Sequence, residues 1–192
     1  MKEVLLGVTG SIAAYKAADI ANMLTKKQIS VHTVMTRAGT RFITPLTFQT
    51  LTKNRVYTDL FDEIFYEDVR HISLAKRTHC CVIAPATANI IGKLASGVAD
   101  DMLTTVVMAM RNKPILICPA MNTAMYENPV TQGNIQKLRG FGFQFVEPKE
   151  SLLACGDLGK GALADADVIV AAVGEALEKS EAASEASGAS AD

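Results

Sequence analysis

The chain has 192 residues, 49% of them hydrophobic, and its formal net charge at pH 7 is −1. This length suits a single domain with a sizeable core, and the small charge, without basic blocks among aromatics, argues against a nucleic-acid partner. The apolar run near the start, Val4–Val8, is too short to span a bilayer and is not followed by an A-x-A cleavage pattern, so we expect a cytoplasmic protein without a membrane partner.

Apolar runs of strand length alternate with helical patterns, which predicts a parallel sheet with crossover helices. The predicted strands are Glu3–Thr9, Ser30–Thr36, Cys80–Ala84, Pro114–Pro119 and Phe143–Val146. The segments predicted to be helical or part-helical are Ser11–Lys27, Ala38–Thr52, Ile72–Thr78, Thr87–Ser96, Asp101–Arg111 and Thr123–Gly140. The fold class is therefore α/β: one three-layer, doubly wound parallel sheet of the Rossmann-like or flavodoxin-like kind.

The carboxyl-terminal part divides into a loop, a helix and a tail. Leu152–Asp165 contains Gly156, Gly159 and Gly161, which predict an irregular, mobile loop around Cys155. The segment Ala164–Glu178 fits a closing helix better than a strand. Beyond residue 178 the composition is Ala, Ser and Glu with nothing to bury, so 179–192 is expected to be a disordered tail.

The four cysteines do not form a metal site by their spacing, and no metal is expected. Cys80, Cys81 and Cys118 lie inside apolar runs and are expected in the core. Cys155 differs, because it stands among glycines.

The first strand is followed by Gly10 and Ser11, where Ser11 is either a helix N-cap or a ligand of an anion such as phosphate. A dinucleotide fold usually carries Asp or Glu near the end of the second strand. Here that strand ends with Thr36 and Arg37. This favours a mononucleotide, with FMN the leading candidate, whose phosphate meets Ser11 and Thr36.

Three more junctions offer polar side chains with two possible roles each. His71, near a helix start, is either a neutral base or a surface histidine. Asn122 is either an N-cap or an amide donor to a substrate carboxylate. Thr87 and Asn89 are either caps or ligands at the edge of a planar cofactor.

Five stretches together resemble the homo-oligomeric flavin-containing cysteine decarboxylases. They are GSIAAYK (Gly10–Lys16), HISLAK (His71–Lys76), PATANIIGKLASGVADDMLTT (Pro85–Thr105), PAMNTAMYENP (Pro119–Pro129) and ACGDLGKGALAD (Ala154–Asp165). The resemblance covers about residues 2–176, and within the family it is strongest to members that act on phosphopantothenoylcysteine in coenzyme A biosynthesis. It implies a flavoprotein domain over residues 1–178. Ile90, Tyr126 and Ala162 depart from residues common in the family.

The resemblance also implies the site. His71 is the implied base, Asn122 the carboxylate-binding amide and Cys155 the proton donor. The implied FMN-binding residues are Gly10, Ser11, Ile12, Thr36, Thr87, Ala88, Asn89, Ile90 and Ala120. The implied substrate-binding residues are Met121, Asn122, Ala154, Gly156 and Asp157.

The implied reaction oxidises the substrate's CH2–SH to a thioaldehyde, releases CO2 to leave an enethiolate, and reduces this to 4′-phosphopantetheine. Partners implied by the resemblance are other copies of the chain, in a trimer or dodecamer, and a separate synthetase chain that makes the substrate. Two alternatives are a peptidyl-cysteine decarboxylase of lantibiotic maturation, which stops at the enethiol, and a non-catalytic regulatory flavoprotein.

Overall fold

The computed structural model describes residues 1–61, 69–152 and 158–188, and a parallel β-sheet forms its centre. The strands of this sheet are β1 (Glu3–Val8), β2 (Ser30–Met35), β3 (Val56–Tyr57), β4 (Cys80–Ala86), β5 (Ile115–Pro119) and β6 (Gln144–Phe145). The α-helices are α1 (Lys16–Lys26), α2 (Pro45–Thr52), α3 (Arg70–Arg77), α4 (Ala88–Ser96), α5 (Met102–Ala109), α6 (Thr123–Glu127), α7 (Pro129–Gly140) and α8 (Ala166–Gly188). Two further strands, β7 (Lys149–Leu152) and β8 (Leu158–Ala162), form a separate hairpin.

The sheet has the strand order β3-β2-β1-β4-β5-β6, and every neighbouring pair is parallel. This is the Rossmann order, so the structure takes the first of the two predicted variants. The chain moves outward from β1 to β3 and then crosses back to β4, on the other side of β1. In such sheets, ligands bind outside the carboxyl ends of the strands at this switch point, here between β1 and β4.

Helices cover both faces of the sheet and give the predicted three layers. On β1, Val4, Leu6 and Val8 pack in one core with α1, α2 and α8, while Leu5 packs in a second core with α3, α4, α5 and α7. Both faces are therefore dry, which explains why the strands read as continuous apolar runs.

The three cysteines predicted for the core are fully buried. Burial raises the pKa of the Cys80 thiol to about 12 and also raises those of Cys81 and Cys118. At neutral pH these thiols stay protonated, so they act as small apolar residues.

The segment Thr123–Gly140, predicted to be helical or part-helical, forms two helices, because the helix is interrupted between α6 and α7. Pro129 has no backbone N–H and suits only the first turn of a helix. Asn128 precedes it and caps α7, its Oδ1 accepting a hydrogen bond from Val130 N at 2.9 Å. Likewise, the segment Ala38–Thr52 contains two separate helical elements, a 3-10 turn at Gly39–Arg41 and α2.

The prediction of an irregular loop over Leu152–Asp165 is wrong in its second half, where Leu158–Ala162 forms β8. The glycines here permit close packing rather than disorder. A Cβ at Gly161 would lie 2.2 Å from the carbonyl oxygen of Met121, and one at Gly159 would lie 2.4 Å from Thr123 Oγ1. Met121 N donates to Gly161 O at 2.9 Å, so β8 lies directly against the segment that follows β5.

The closing helix is confirmed as α8. The low-complexity composition predicts disorder from residue 179, whereas α8 continues to Gly188, and 189–192 lie outside the described residues. None of the described helices has the combination of length and apolar character needed to cross a bilayer.

Candidate cofactor and substrate site

A cavity of about 840 Å3 opens at the carboxyl ends of the strands. It is lined by residues 9–13 after β1, 36–38 after β2, 87–90 after β4 and 120–122 after β5. Its size lies within the range of about 300–1,000 Å3 usual for small-molecule and cofactor sites. Each residue predicted to bind the cofactor lines it: Gly10, Ser11, Ile12, Thr36, Thr87, Ala88, Asn89, Ile90 and Ala120.

The turn after β1 shows why glycine is needed at position 10. A Cβ at Gly10 would lie 2.4 Å from the Cβ of Ala38, in the turn that follows β2. Ser11 then caps the 3-10 helix Ile12–Tyr15, and its Oγ accepts a hydrogen bond from Ala13 N at 3.3 Å. The capping role is thus present, and the same residue forms part of the cavity wall.

Hydroxyl groups hold the loops of the switch point together. Thr9 Oγ1 donates to the carbonyl of Pro85 at 2.7 Å and accepts from Thr87 N at 3.2 Å, which ties the end of β1 to the end of β4. Thr36 Oγ1 accepts from Gly39 N at 3.1 Å and so shapes the turn after β2. Sequence reasoning missed Thr9, although its place at the end of a buried strand is a usable signal.

The turn after β4 starts α4 with Thr87 as its cap, since Thr87 Oγ1 accepts from Ile90 N at 3.3 Å. Asn89 is exposed, whereas the Ile90 side chain is 1% exposed and packs in the core. Ile90 therefore meets the cavity without a polar side-chain group, and the polar groups offered by this turn belong to Thr87 and Asn89.

Charged side chains at the cavity were not predicted as site residues. Among the described lining residues, Lys16, Arg37 and Lys93 are cationic and Asp101 is anionic. Lys93 Nζ donates to Asp100 at 2.6 Å and to Asp101 at 3.2 Å, and the hydrogen bond to Asp100 raises the pKa of Lys93. The excess of positive charge favours an anionic ligand.

Asn122 lines the cavity beside Met121. Its Oδ1 accepts a hydrogen bond from Ala124 N at 2.9 Å, so it caps α6 as one of the two predicted roles requires. The same side chain therefore both caps α6 and forms part of the cavity wall.

Of the two other predicted catalytic residues, only His71 is described, and it does not join this group. His71 lies in the first turn of α3, is half-buried and does not line the cavity within the described part of the chain. Cys155, and with it Ala154, Gly156 and Asp157, lies outside the described residues. The hairpin that carries them does reach the cavity, because Ser151, Leu152 and residues 161–163 line it.

Within the described ranges, no three His, Cys, Asp or Glu side chains come together in a way that could hold a metal ion.

The chain is similar to proteins of known family and structure. The family model described as Flavoprotein matches residues 1–178. A probable phosphopantothenoylcysteine decarboxylase of Streptococcus mutans is 49% identical over 177 residues, which make up 92% of this chain and 99% of that protein. A cysteine-to-serine mutant of PPC decarboxylase, solved in complex with pantothenoylaminoethenethiol, matches with a TM-score of 0.81 at 32% identity, over 90% of this chain and 96% of that one. The FMN-dependent cysteine decarboxylase SpaF matches with a TM-score of 0.82 at 32% identity, over 94% and 98%.

Proposed function

We propose, since the chain belongs to the flavoprotein family, that it binds FMN and converts 4′-phosphopantothenoylcysteine to 4′-phosphopantetheine and CO2. The observation that carries this proposal is the convergence of three separate segments on one cavity: the turn at Gly10, the turn at Thr87 and the loop that presents Asn122. The similarity to the decarboxylases named above supports the reaction class.

The residues present fit FMN. Gly10 leaves room where a Cβ would meet Ala38, and the lining carries a positive excess suited to a phosphate. We propose that Ser11, Thr36 and the backbone of Gly10–Ile12 hold the phosphate and that residues 87–90 with Ala120 border the ring system, since all of them line the cavity. When bound, FMN supplies an acceptor of two electrons that later returns them, which amino-acid side chains do not provide.

The chemistry explains why an electron sink has to be made first. Removal of a hydride from the substrate's CH2 and of a proton from its thiol gives a thioaldehyde, whose C=S lies beta to the carboxylate. When the C–C bond to CO2 breaks, its electron pair moves into the C=S and leaves an enethiolate. A proton and a hydride then saturate the C=C bond, and a second proton on the sulfur gives the thiol product, so no outside reductant is consumed.

The chain's own residues bind, orient and move protons. Asn122 binds the substrate carboxylate through its amide. Because the amide is neutral, it recognises the anion without adding a charge of its own to the site. His71 is the proposed base, and Cys155 is the proposed donor of the proton that completes the reduction. Because His71 does not line the cavity of its own chain, we propose that a neighbouring copy supplies it in a trimer or dodecamer.

The substrate needs a synthetase that joins cysteine to phosphopantothenate, and we propose that a separate chain supplies this activity. The Streptococcus mutans relative is matched over 99% of its length, so that relative has little beyond the region of similarity.

The test is to incubate the purified yellow protein with phosphopantothenoylcysteine and, separately, with a peptide ending in cysteine. We expect a flavin spectrum, CO2 from the first substrate, and a product with the mass of 4′-phosphopantetheine. Turnover of the peptide alone, ending at an enethiol, would favour a peptidyl-cysteine decarboxylase. A flavin-loaded protein that releases CO2 from neither substrate would favour a regulatory role.

Replacing Cys155 with Ser tests the reductive half separately. We expect CO2 release to persist while the product stops at the ethenethiol, two mass units lighter than phosphopantetheine. The similar cysteine-to-serine mutant is complexed with a compound of this ethenethiol class. A normal yield of phosphopantetheine from Cys155→Ser would rule out the donor role.

A further inference from the structure

Glu147, which follows β6, lies outside the cavity and gathers three other side chains. Its Oε2 accepts hydrogen bonds from Tyr126 Oη at 2.9 Å and from Lys160 Nζ at 3.2 Å, and its Oε1 pairs with Arg139. Lys160 Nζ also lies 5.6 Å from the centre of the Tyr126 ring. One carboxylate therefore connects α6, α7 and β8. We call these four residues the Glu147 cluster.

At neutral pH, Tyr126 is neutral and Glu147 is ionised. Burial raises the pKa of Tyr126 to about 12, and the hydrogen bond to Glu147 adds to this, so the phenol keeps its proton. Burial opposes ionisation of Glu147, yet the hydrogen bonds from Tyr126 and Lys160 outweigh it and lower the pKa of the carboxyl. The cluster is a charge-assisted network around an ionised Glu147.

Two members of this cluster belong to elements that contact the Asn122 segment. On α6, Tyr126 N donates to the carbonyl of Asn122 at 3.0 Å. On β8, Lys160 stands between Gly159 and Gly161, whose backbones press on Thr123 and Met121, the two neighbours of Asn122. The Asn122 segment thus contacts both α6 and β8, and Glu147 accepts a hydrogen bond from a side chain of each of those two elements.

We propose that Glu147 is a positioning residue for Asn122, and that with Tyr126 and Lys160 it holds the amide where a substrate carboxylate is recognised. This inference rests on the proposed function, because it assumes that Asn122 binds that carboxylate. The reason is geometric: without the carboxylate, β8 and α6 lose their common partner and the loop between them gains freedom. A ligand carboxylate then meets an amide that is less well oriented, and affinity falls.

The experiment uses two inhibitors that differ only by the carboxylate. N-(4′-phosphopantothenoyl)alanine keeps it, N-(4′-phosphopantothenoyl)ethylamine lacks it, and neither has a thiol to be oxidised. Their inhibition constants are measured with the FMN-loaded protein and with the variants Glu147→Gln, Lys160→Met and Tyr126→Phe. Lys149→Met is the matched control, because Lys149 lies in the same hairpin but pairs with Asp165 instead.

We expect Glu147→Gln to raise the inhibition constant of the alanine compound by roughly three- to tenfold, as loss of a network partner does. The inhibition constant of the ethylamine compound should change by less than about twofold. Lys160→Met and Tyr126→Phe should show smaller effects that combine non-additively in the double variant, because both act through one carboxylate. Lys160→Arg, which keeps the positive charge, and Lys149→Met should both retain the wild-type preference for the alanine compound over the ethylamine compound.

Two outcomes overturn the inference. If Glu147→Gln weakens both inhibitors equally, or weakens neither, the cluster does not position the carboxylate-binding amide. A wild-type protein that does not prefer the alanine compound, or does not turn over phosphopantothenoylcysteine, instead overturns the proposed function on which the inference rests. The wild-type measurements therefore separate the two failures.

Discussion

Replacing Gly10 with Ala places a methyl group where the structure has none to spare. The new Cβ would lie 2.4 Å from the Cβ of Ala38 and 3.1 Å from its carbonyl carbon. Carbon atoms in contact lie about 3.5–4.0 Å apart, so the turn after β1 and the turn after β2 have to separate by about 1 Å. Both turns line the cavity on the side proposed for the FMN phosphate.

Overpacking of this kind costs about 1–3 kcal/mol, which corresponds to a rise in the FMN dissociation constant of roughly 5- to 150-fold if the bound state carries the whole strain. The assay is titration of the apoprotein with FMN, followed by quenching of flavin fluorescence. The compensating change Ala38→Gly removes the nearest atom and should restore part of the affinity in the double variant. An unchanged affinity in Gly10→Ala, or no recovery in the double variant, would refute the argument that the contact with Ala38 shapes the phosphate site.

Three further predictions test the site and the fold. Asn122→Asp should keep α6 capped and the melting temperature within a few degrees, yet repel the substrate carboxylate and reduce kcat/KM by about 100-fold or more; steady-state kinetics with wild-type activity would contradict the assigned role. Gly161→Ala should destabilise the protein by about 1–3 kcal/mol because its Cβ would meet the Met121 carbonyl oxygen at 2.2 Å. Gly133→Ala is the control, because a Cβ there meets nothing within 4 Å, and it should stabilise the protein by about 0.5–1 kcal/mol. Urea unfolding measures both changes. Burial lowers the pKa of His32 below 6.5, so folding favours its neutral form, and the stability of the fold should fall as the pH drops below about 6.5. His32→Gln should flatten that part of the melting temperature's pH dependence. An unchanged slope in this variant would exclude His32 as its source.

The sheet could be predicted from the sequence because its strands are buried on both faces and are therefore written as continuous apolar runs. Val4–Val8 and Cys80–Ala84 are examples, and both lie in the centre of the sheet. The strand β3 escaped notice because it has only two residues, Val56 and Tyr57, and carries no periodic signal.

The hairpin of β7 and β8 could not be predicted from the sequence for a different reason. Local rules assign glycine-rich sequence to loops, but Gly159 and Gly161 are set by atoms of Thr123 and Met121, nearly forty residues away in the chain. Nothing in the local sequence of β8 reports that contact.

The site divides in the same way. Thr36, Thr87 and Asn122 could be predicted because polar residues directly after buried strands must share one edge of a parallel sheet. The Glu147 cluster could not, since it joins residues 126, 139, 147 and 160 through side chains on elements that only the fold brings together. His71 shows a further limit, because its distance from the cavity becomes visible only in three dimensions.

Ser11, Thr87 and Asn122 each accept a backbone N–H at the start of a helix and also line the cavity. Removing such a cap costs about 0.5–2 kcal/mol before any ligand is considered. Selection for abundance and selection for binding therefore act on the same atoms at these positions. A mutational scan that measured only cellular protein level should therefore already outline part of the ligand site, and engineering for heat resistance should find little room for change at these three helix starts.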